Sequence, residues 1–474
     1  MSSVTNEKES TGKPIDDLIV SGSTWRAIWH MSWPMMVQMF IISGASFVDV
    51  RVASELGSPT QAAIGICNQI WFLMLIMTVA LSSGTMALVS RFWGARDYVS
   101  AIEAGRQSLI FGTIFGVVST ILGLIAAKPL LMASGADAIV QAQGWQYLSI
   151  DLMSQLPFTI VWTAHSMFRA IGNSRVPMMI WLVMAVLIVG LDYFLCLGPP
   201  GLGVAGIGWS WCMAGVLGMC LNIYLLSRSE LKESLDIFAG YRGKSKAERQ
   251  AQWDLARDWL WRILKVGIPT CIQDVAWVAG NFAMFWIFAC TKDPTTCQAS
   301  WTIGFRLEEI ISTLPLHALS ASIGTIVGQN LGAGKPDRAA KSGWQATKIG
   351  LAMSIPTAAI MYFFAAQIAG AMSHDAKVIA CTADYFSVMS FCMPLVACWF
   401  ILFGAMSGAG YTRWPMWIGL IGLTLIRLPL AYFLATQTAL GPKGIWIAIS
   451  VSAAFIGIAA ILRFAQGTWK KQKV

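Results

Sequence analysis

The sequence predicts an all-α integral membrane protein of twelve transmembrane helices, built as two parallel six-helix repeats. Three observations carry that reading. Of 474 residues 56% are hydrophobic and 12% charged, with a mean hydropathy of +0.62. Apolar runs long enough to cross a bilayer as helices, about 20 residues each, recur twelve times. The chain also repeats itself at a fixed offset. A surface so poor in charge cannot face water on every side.

The apolar runs centre near residues 39, 75, 117, 157, 187, 215, 277, 313, 358, 394, 425 and 454. Residues 1–24 are polar and lack the charged-then-apolar pattern of a signal peptide, so they read as a cytosolic tail, with Ser23 or Thr24 placed to cap the first helix. The first lobe spans 25–227, a linker 228–262, the second lobe 263–464 and a second tail 465–474. Pro34 and Pro269 stand near the starts of the first helix of each lobe, where they permit bending or simply begin a helix.

The net charge of +9 is explained by where it sits. With the tail cytosolic, 26 of the 33 Lys and Arg fall on that side. Only Arg51, Lys128, Lys292, Lys377 and Lys443 fall on the other, while Arg306 and Arg427 lie inside helices. This is the positive-inside asymmetry of a multi-pass cell-membrane protein with both termini cytoplasmic, and it requires no nucleic-acid partner. Nine of the basic residues lie in SRSELKESLDIFAGYRGKSKAERQAQWDLARDWLWRILK, which reads as a tether with an amphipathic helix on anionic lipid.

The repeat appears at an offset of 238. Ala80, Leu81, Ser82 and Val89 meet Ala318, Leu319, Ser320 and Val327; Gly94, Ala95, Gly105 and Gln107 meet Gly332, Ala333, Gly343 and Gln345. Further on, RAIGNSRVPMMI lies over SGAGYTRWPMWI and LGVAGI over LGPKGI. Upstream, WPMMVQ and IPTCIQ pair Pro34 with Pro269 and Gln38 with Gln273 at an offset of 235. Six helices return the chain to its starting side, so the repeats share one orientation and are related by an axis along the membrane normal. Alternating-access carriers are built this way, with the substrate site near the midplane. No nucleophile–base pair or metal-ligand spacing points to an enzyme.

The motif VGQNLGAGKPDRA, its degenerate twin VSRFWGARDYVSA, and the paired RAIGNSRVP and SGAGYTRWP resemble the multidrug and toxin extrusion (MATE) family from about Trp25 to about Phe464. The resemblance implies two six-helix lobes, acting as a monomer without a cofactor, that export organic and often cationic compounds in exchange for protons or sodium ions. The GAGK glycines read as a helix end, with Gly332 and Gly334 free to take left-handed geometry and Lys335 and Arg338 near the helix dipole and lipid head groups. They do not form a phosphate loop, since no strand precedes them.

Charge inside a membrane helix costs on the order of 2.5–3.5 kcal/mol by insertion scales, so such residues mark function or pairing. In the family the first helix carries an aspartate in the pattern fVDt and the fifth carries another before a glycine-rich loop; FVDV and LDYF match, naming Asp49 and Asp192 as the coupling site. A carboxylate suits that task because desolvation favours the neutral acid and an approaching cation favours the anion, so proton and substrate compete. The plainer reading leaves both solvated at helix ends, Asp49 beside Arg51. Where family members place an asparagine one turn before the second aspartate, this chain has Ile188, which offers no oxygen; that favours a proton over sodium. Ser210 is a candidate hydroxyl partner.

The second lobe lacks the acidic pair of the sodium-coupled branch, since Trp277 and Val396 stand at those positions. It carries Asp274, beside Gln273, and Glu308 and Glu309 as candidate substrate or coupling residues, with Gln38 as the counterpart of Gln273. An internal ion pair of Arg306 or Arg427 with a glutamate is the alternative. Among 24 Met, 23 Phe and 22 Trp, some suit a deformable aromatic pocket for flat cations, although most must pack helices or face lipid. Cys290 and Cys297 bracket an outer loop, where a disulfide is permitted. The second functional reading is a flippase for a lipid-linked precursor; few basic residues lie inside the membrane to hold one.

Overall fold

The computed structural model describes residues 18–133, 136–236 and 246–472, and every regular element among them is helical. In chain order these are α1 (Thr24–Glu55), α2 (Ser58–Gly94), α3 (Tyr98–Ala133), α4 (Ala138–Asp151), α5 (Gln155–Ala170), α6 (Arg175–Asp192), α7 (Val204–Ser227), α8 (Lys246–Ala289), α9 (Pro294–Glu308), α10 (Leu314–Gly332), α11 (Pro336–Phe363), α12 (Ala365–Met372), α13 (Ala376–Gly408), α14 (Arg413–Leu420), α15 (Arg427–Thr436) and α16 (Pro442–Ala465). Wider π-helical turns prolong α6 (Tyr193–Leu197), join α9 to α10 (Glu309–Thr313) and join α14 to α15 (Ile421–Ile426).

Eleven helical stretches among the described residues are long and apolar enough to cross a membrane, against twelve read from the sequence. The difference is the run centred near residue 157. There a 3-10 turn, Leu152–Ser154, separates α4 from α5, and neither piece, at 14 and 16 residues, is long enough alone. The tail through residue 17, linker residues 237–245 and residues 473–474 lie outside the described residues. From Lys246 the backbone runs unbroken into α8, so the expected edge between linker and second lobe falls within one helix. Pro34 and Pro269 are likewise helix-interior.

The repeat is written into the backbone. Gly172 and Gly410 take φ of 91° and 74°, and Gly203 and Gly441 take 55° and 52°; each pair is separated by 238 residues. A left-handed residue at the same point of each half needs glycine. Gly334 (φ 69°) closes α10 as expected, with Lys335 N–H donating to the Asn330 carbonyl at 2.8 Å.

Gly332 does something else. It stays helical and lies so close to the Arg91 carbonyl of α2 that a Cβ has no room, while Gly94 lies equally close to the Gln329 carbonyl of α10. Residues 91 and 329 are themselves repeat mates, so the two halves meet here by a reciprocal contact. Hydrogen bonds between the halves cluster at this end: Gln329 Nε2 to Ala170 O at 2.7 Å, Asn330 Nδ2 to Ile19 O at 3.3 Å, and Thr24 with Gln345. Lys335 and Arg338 grip backbone carbonyls of Val20, Ile19 and Gly22, a partner the sequence did not suggest. Ser23 occupies the cap position of α1 without a side-chain cap bond, contrary to expectation.

The disulfide expected between Cys290 and Cys297 is absent. Both are free thiols, Cys290 exposed and Cys297 buried with its sulfur 3.4 Å from Thr291 Oγ1. Cys297 starts α9 facing inward toward Cys381 of α13, because the helix begins at Pro294 and turns that position away from the loop. Peptide mapping without reductant is expected to return no Cys290–Cys297 crosslinked peptide; finding one overturns this placement.

Candidate functional site

Asp49 and Asp192 come from helices far apart in sequence and meet in the first half. Asp49 lies six residues before the end of α1 and Asp192 is the last residue of α6, both buried. Their carboxyl groups are within hydrogen-bonding reach of each other, with Ser210 of α7 beside Asp192. The Trp211 indole N–H donates to Asp49 Oδ2 at 3.0 Å. The other three oxygens, Asp49 Oδ1 and both of Asp192, receive no donor from the described residues. The Ser210 hydroxyl is committed to the Gly206 carbonyl at 2.9 Å.

That deficit defines the chemistry. Two buried carboxyl groups facing each other repel when both are charged, and buried acceptors without donors are costly. A shared proton or a bound cation removes both penalties. Arg51 is not the compensating charge, since it points outward to Glu55 at 3.2 Å. The plainer reading, solvated helix ends, is therefore corrected. Ile188 is fully buried in an apolar cluster with Ala45, Trp181, Met184 and Ala214.

Sequence reasoning missed two neighbours. Asp151 ends α4 as a buried carboxyl in the same region, and Tyr147 lies one turn before it among Val52, Cys67 and Cys196. The signal was present, an isolated Asp within YLSIDLMS, but it lay in the run whose helix is broken. Among the described residues no group of three or more His, Cys, Asp or Glu is arranged to hold a metal ion.

The second-half candidates separate. Arg306 and Glu309 form an outward ion pair at 3.2 Å, a kind worth little in solvent. Glu308 turns inward and accepts a hydrogen bond from the Tyr385 hydroxyl. Arg427 is buried and donates from Nε to Ser452 Oγ at 3.0 Å; no glutamate lies within ion-pair distance of it among the described residues. Asp274 is half-buried on α8. Gln273 packs against Gly419 of α14, whereas Gln38 is fully buried with both amide atoms unpaired. These residues are not brought together with the Asp49–Asp192 pair into one site.

A family model, MatE, matches residues 34–194 and again 269–433. The chain belongs to the MatE family. The double match begins at Pro34 and Pro269, the residues that open the two repeats. The MATE fold is shared with solved structures: a MOP superfamily transporter from Pyrococcus furiosus, at a TM-score of 0.87 and 19% identity over 98% of this chain and 100% of that one, and an outward-facing multidrug resistance MATE family transporter, at 0.84 and 21% over 97% and 98%. Among curated relatives, the uncharacterized transporter YisQ of Bacillus subtilis is 22% identical over 94% of both chains. A probable multidrug resistance protein NorM of Thermotoga maritima is 22% identical over 87% of this chain and 86% of its own length.

Proposed function

We propose that this MATE protein is a secondary antiporter that exports organic, chiefly cationic, compounds by alternating access, driven by protons taken up at the Asp49–Asp192 pair. The single observation that carries the reading is that pair: two buried carboxyl groups in contact, three of their four oxygens without a donor. Protonation from outside satisfies the pair and relaxes its grip on a cation. Loss of the proton to the inside restores the charge and the affinity. The exchange needs no cofactor and no covalent chemistry.

In this reading α4, its 3-10 turn and α5 together make a twelfth crossing, giving two six-helix lobes in one self-sufficient chain. Both termini are cytoplasmic, following the Lys and Arg asymmetry. The reciprocal Gly94 and Gly332 contact then seals the cytosolic side, which corresponds to an outward-facing state. A proton is preferred over sodium because the position one turn before Asp192 is the apolar Ile188, packed in an apolar cluster, rather than an oxygen ligand.

The test is efflux of a fluorescent organic cation from proteoliposomes. A proton gradient imposed without sodium is expected to raise the initial rate at least tenfold over no gradient, and a sodium gradient alone to give little. Sodium-driven efflux without a proton gradient would overturn the proton assignment; no efflux under either gradient would overturn the exporter.

A further inference from the structure

The second half holds a cavity of about 50 Å³ whose walls include Glu308, Arg427, Tyr385, Asn281, Trp277 and Trp301. Its polar groups are unmatched in a patterned way. Glu308 spends one oxygen, Oε2, on Tyr385 and leaves Oε1 without a donor among the described residues. Asn281 Oδ1 is buried and also without a donor. Opposite in charge, Arg427 is anchored through Nε by Ser452, which is itself fixed to the Ile449 carbonyl at 2.8 Å. Neither of its Nη groups finds an acceptor among the described residues, although only 5% of the residue is exposed.

We infer that this cavity is a recognition site for a zwitterionic headgroup, with a carboxylate on the Arg427 fork and an ammonium against Glu308 and Asn281. A cation alone leaves the guanidinium fork facing the cavity without an acceptor, and an anion alone leaves Glu308 Oε1 and the buried Asn281 Oδ1 without a donor. A group carrying both signs satisfies all three. The planar fork suits a carboxylate bidentately. The aromatic wall, where Trp301 stacks on Phe305 at 5.3 Å and on Trp446 at 6.1 Å, suits an ammonium. The volume admits a headgroup only, so the remainder of such a ligand extends beyond the cavity.

Local helix geometry supports a built site. Glu308 directly precedes one π-helical turn and Arg427 directly follows another, and such turns are frequent at functional sites. The inference does not rest on coupling at Asp49 and Asp192, which belong to the other half.

Isothermal titration of the detergent-solubilised full chain tests it, using glycine as the zwitterion, glycine methyl ester as the cation alone and acetate as the anion alone. Glycine is expected to bind saturably and at least tenfold more tightly than either control. Arg427→Gln and Glu308→Gln are each expected to weaken it more than tenfold, and Arg306→Gln, in the outward ion pair, to leave it unchanged. Should a charge variant misfold, Asn281→Ala removes one acceptor without stranding a charge and is expected to weaken glycine several-fold. The inference is overturned by an absence of saturable glycine binding, which leaves only bridging water in the cavity. It is equally overturned by equal affinity for the ester, or by a folded Arg427→Gln that binds as the wild type does.

Discussion

Asp49→Asn is expected to abolish gradient-driven efflux, lowering the initial rate at least tenfold, while the protein still folds. The amide has the carboxylate's shape, so its oxygen keeps the bond from the Trp211 indole. It also gives Asp192 a donor that the native pair lacks, one reason to expect no loss of stability. What disappears is the ability to exchange a proton for a cation. Asp192→Asn is expected to fail in the same way, and the double variant to be no worse than either single one, since groups acting as a unit are not additive. The check is efflux of a fluorescent cation from proteoliposomes under an imposed proton gradient, with thermal melting of each variant within a few degrees of wild type. A fully active Asp49→Asn sinks this coupling model and moves attention to Asp274 and Glu308.

Replacing Gly94 or Gly332 by leucine is expected to cost at least tenfold in transport by a different route. Each glycine lies directly on a carbonyl of the opposite helix, so a side chain must push α2 and α10 apart. Overpacking of this kind costs typically about 1–3 kcal/mol. Because the contact joins the halves and is not inside either core, the cost falls on the state in which this end is closed. Labelling of a cysteine introduced beside Arg91 is therefore expected to rise, while cation binding to the solubilised protein survives. Gly44→Leu is the control, since nothing lies within 4 Å of where its Cβ would stand; it is expected to transport normally. Equal loss in the control would mean that helix propensity, not the contact, is responsible.

Much of this was legible beforehand. The offset of 238 foretold that Gly172 and Gly410, and Gly203 and Gly441, would do matching work, and their backbone angles agree because a turn that demands a left-handed residue admits few substitutes. Burying a carboxylate is costly enough that FVDV and LDYF stood out against apolar surroundings, and the structure brings the two together. Less visible was anything decided by which helices touch. Periodicity along one helix does not say that Glu308 will find Tyr385, 77 residues on, or that Cys297 will turn from its loop neighbour toward α13. The same holds for Asp151, hidden where a 3-10 turn interrupts the apolar pattern. It holds also for Lys335 and Arg338, whose attraction to carbonyls of the N-terminal segment depends on a fold that returns residue 19 to the far half of the chain.

The π-helical turns bordering Asp192, Glu308 and Arg427 have a mechanical consequence. Each is a turn holding one residue more than α-geometry accommodates. Such a surplus is a dislocation, and it can migrate: when the bonding pattern slips by a single position, the residue it passes swings about 100° around the helix axis, with no net loss of backbone hydrogen bonds. Three helices of this transporter thus carry a phase slip beside an ionisable group. Moving such a defect past Glu308 or Arg427 would turn that side chain away from the cavity both residues line, while the rest of the rod stays where its neighbours hold it.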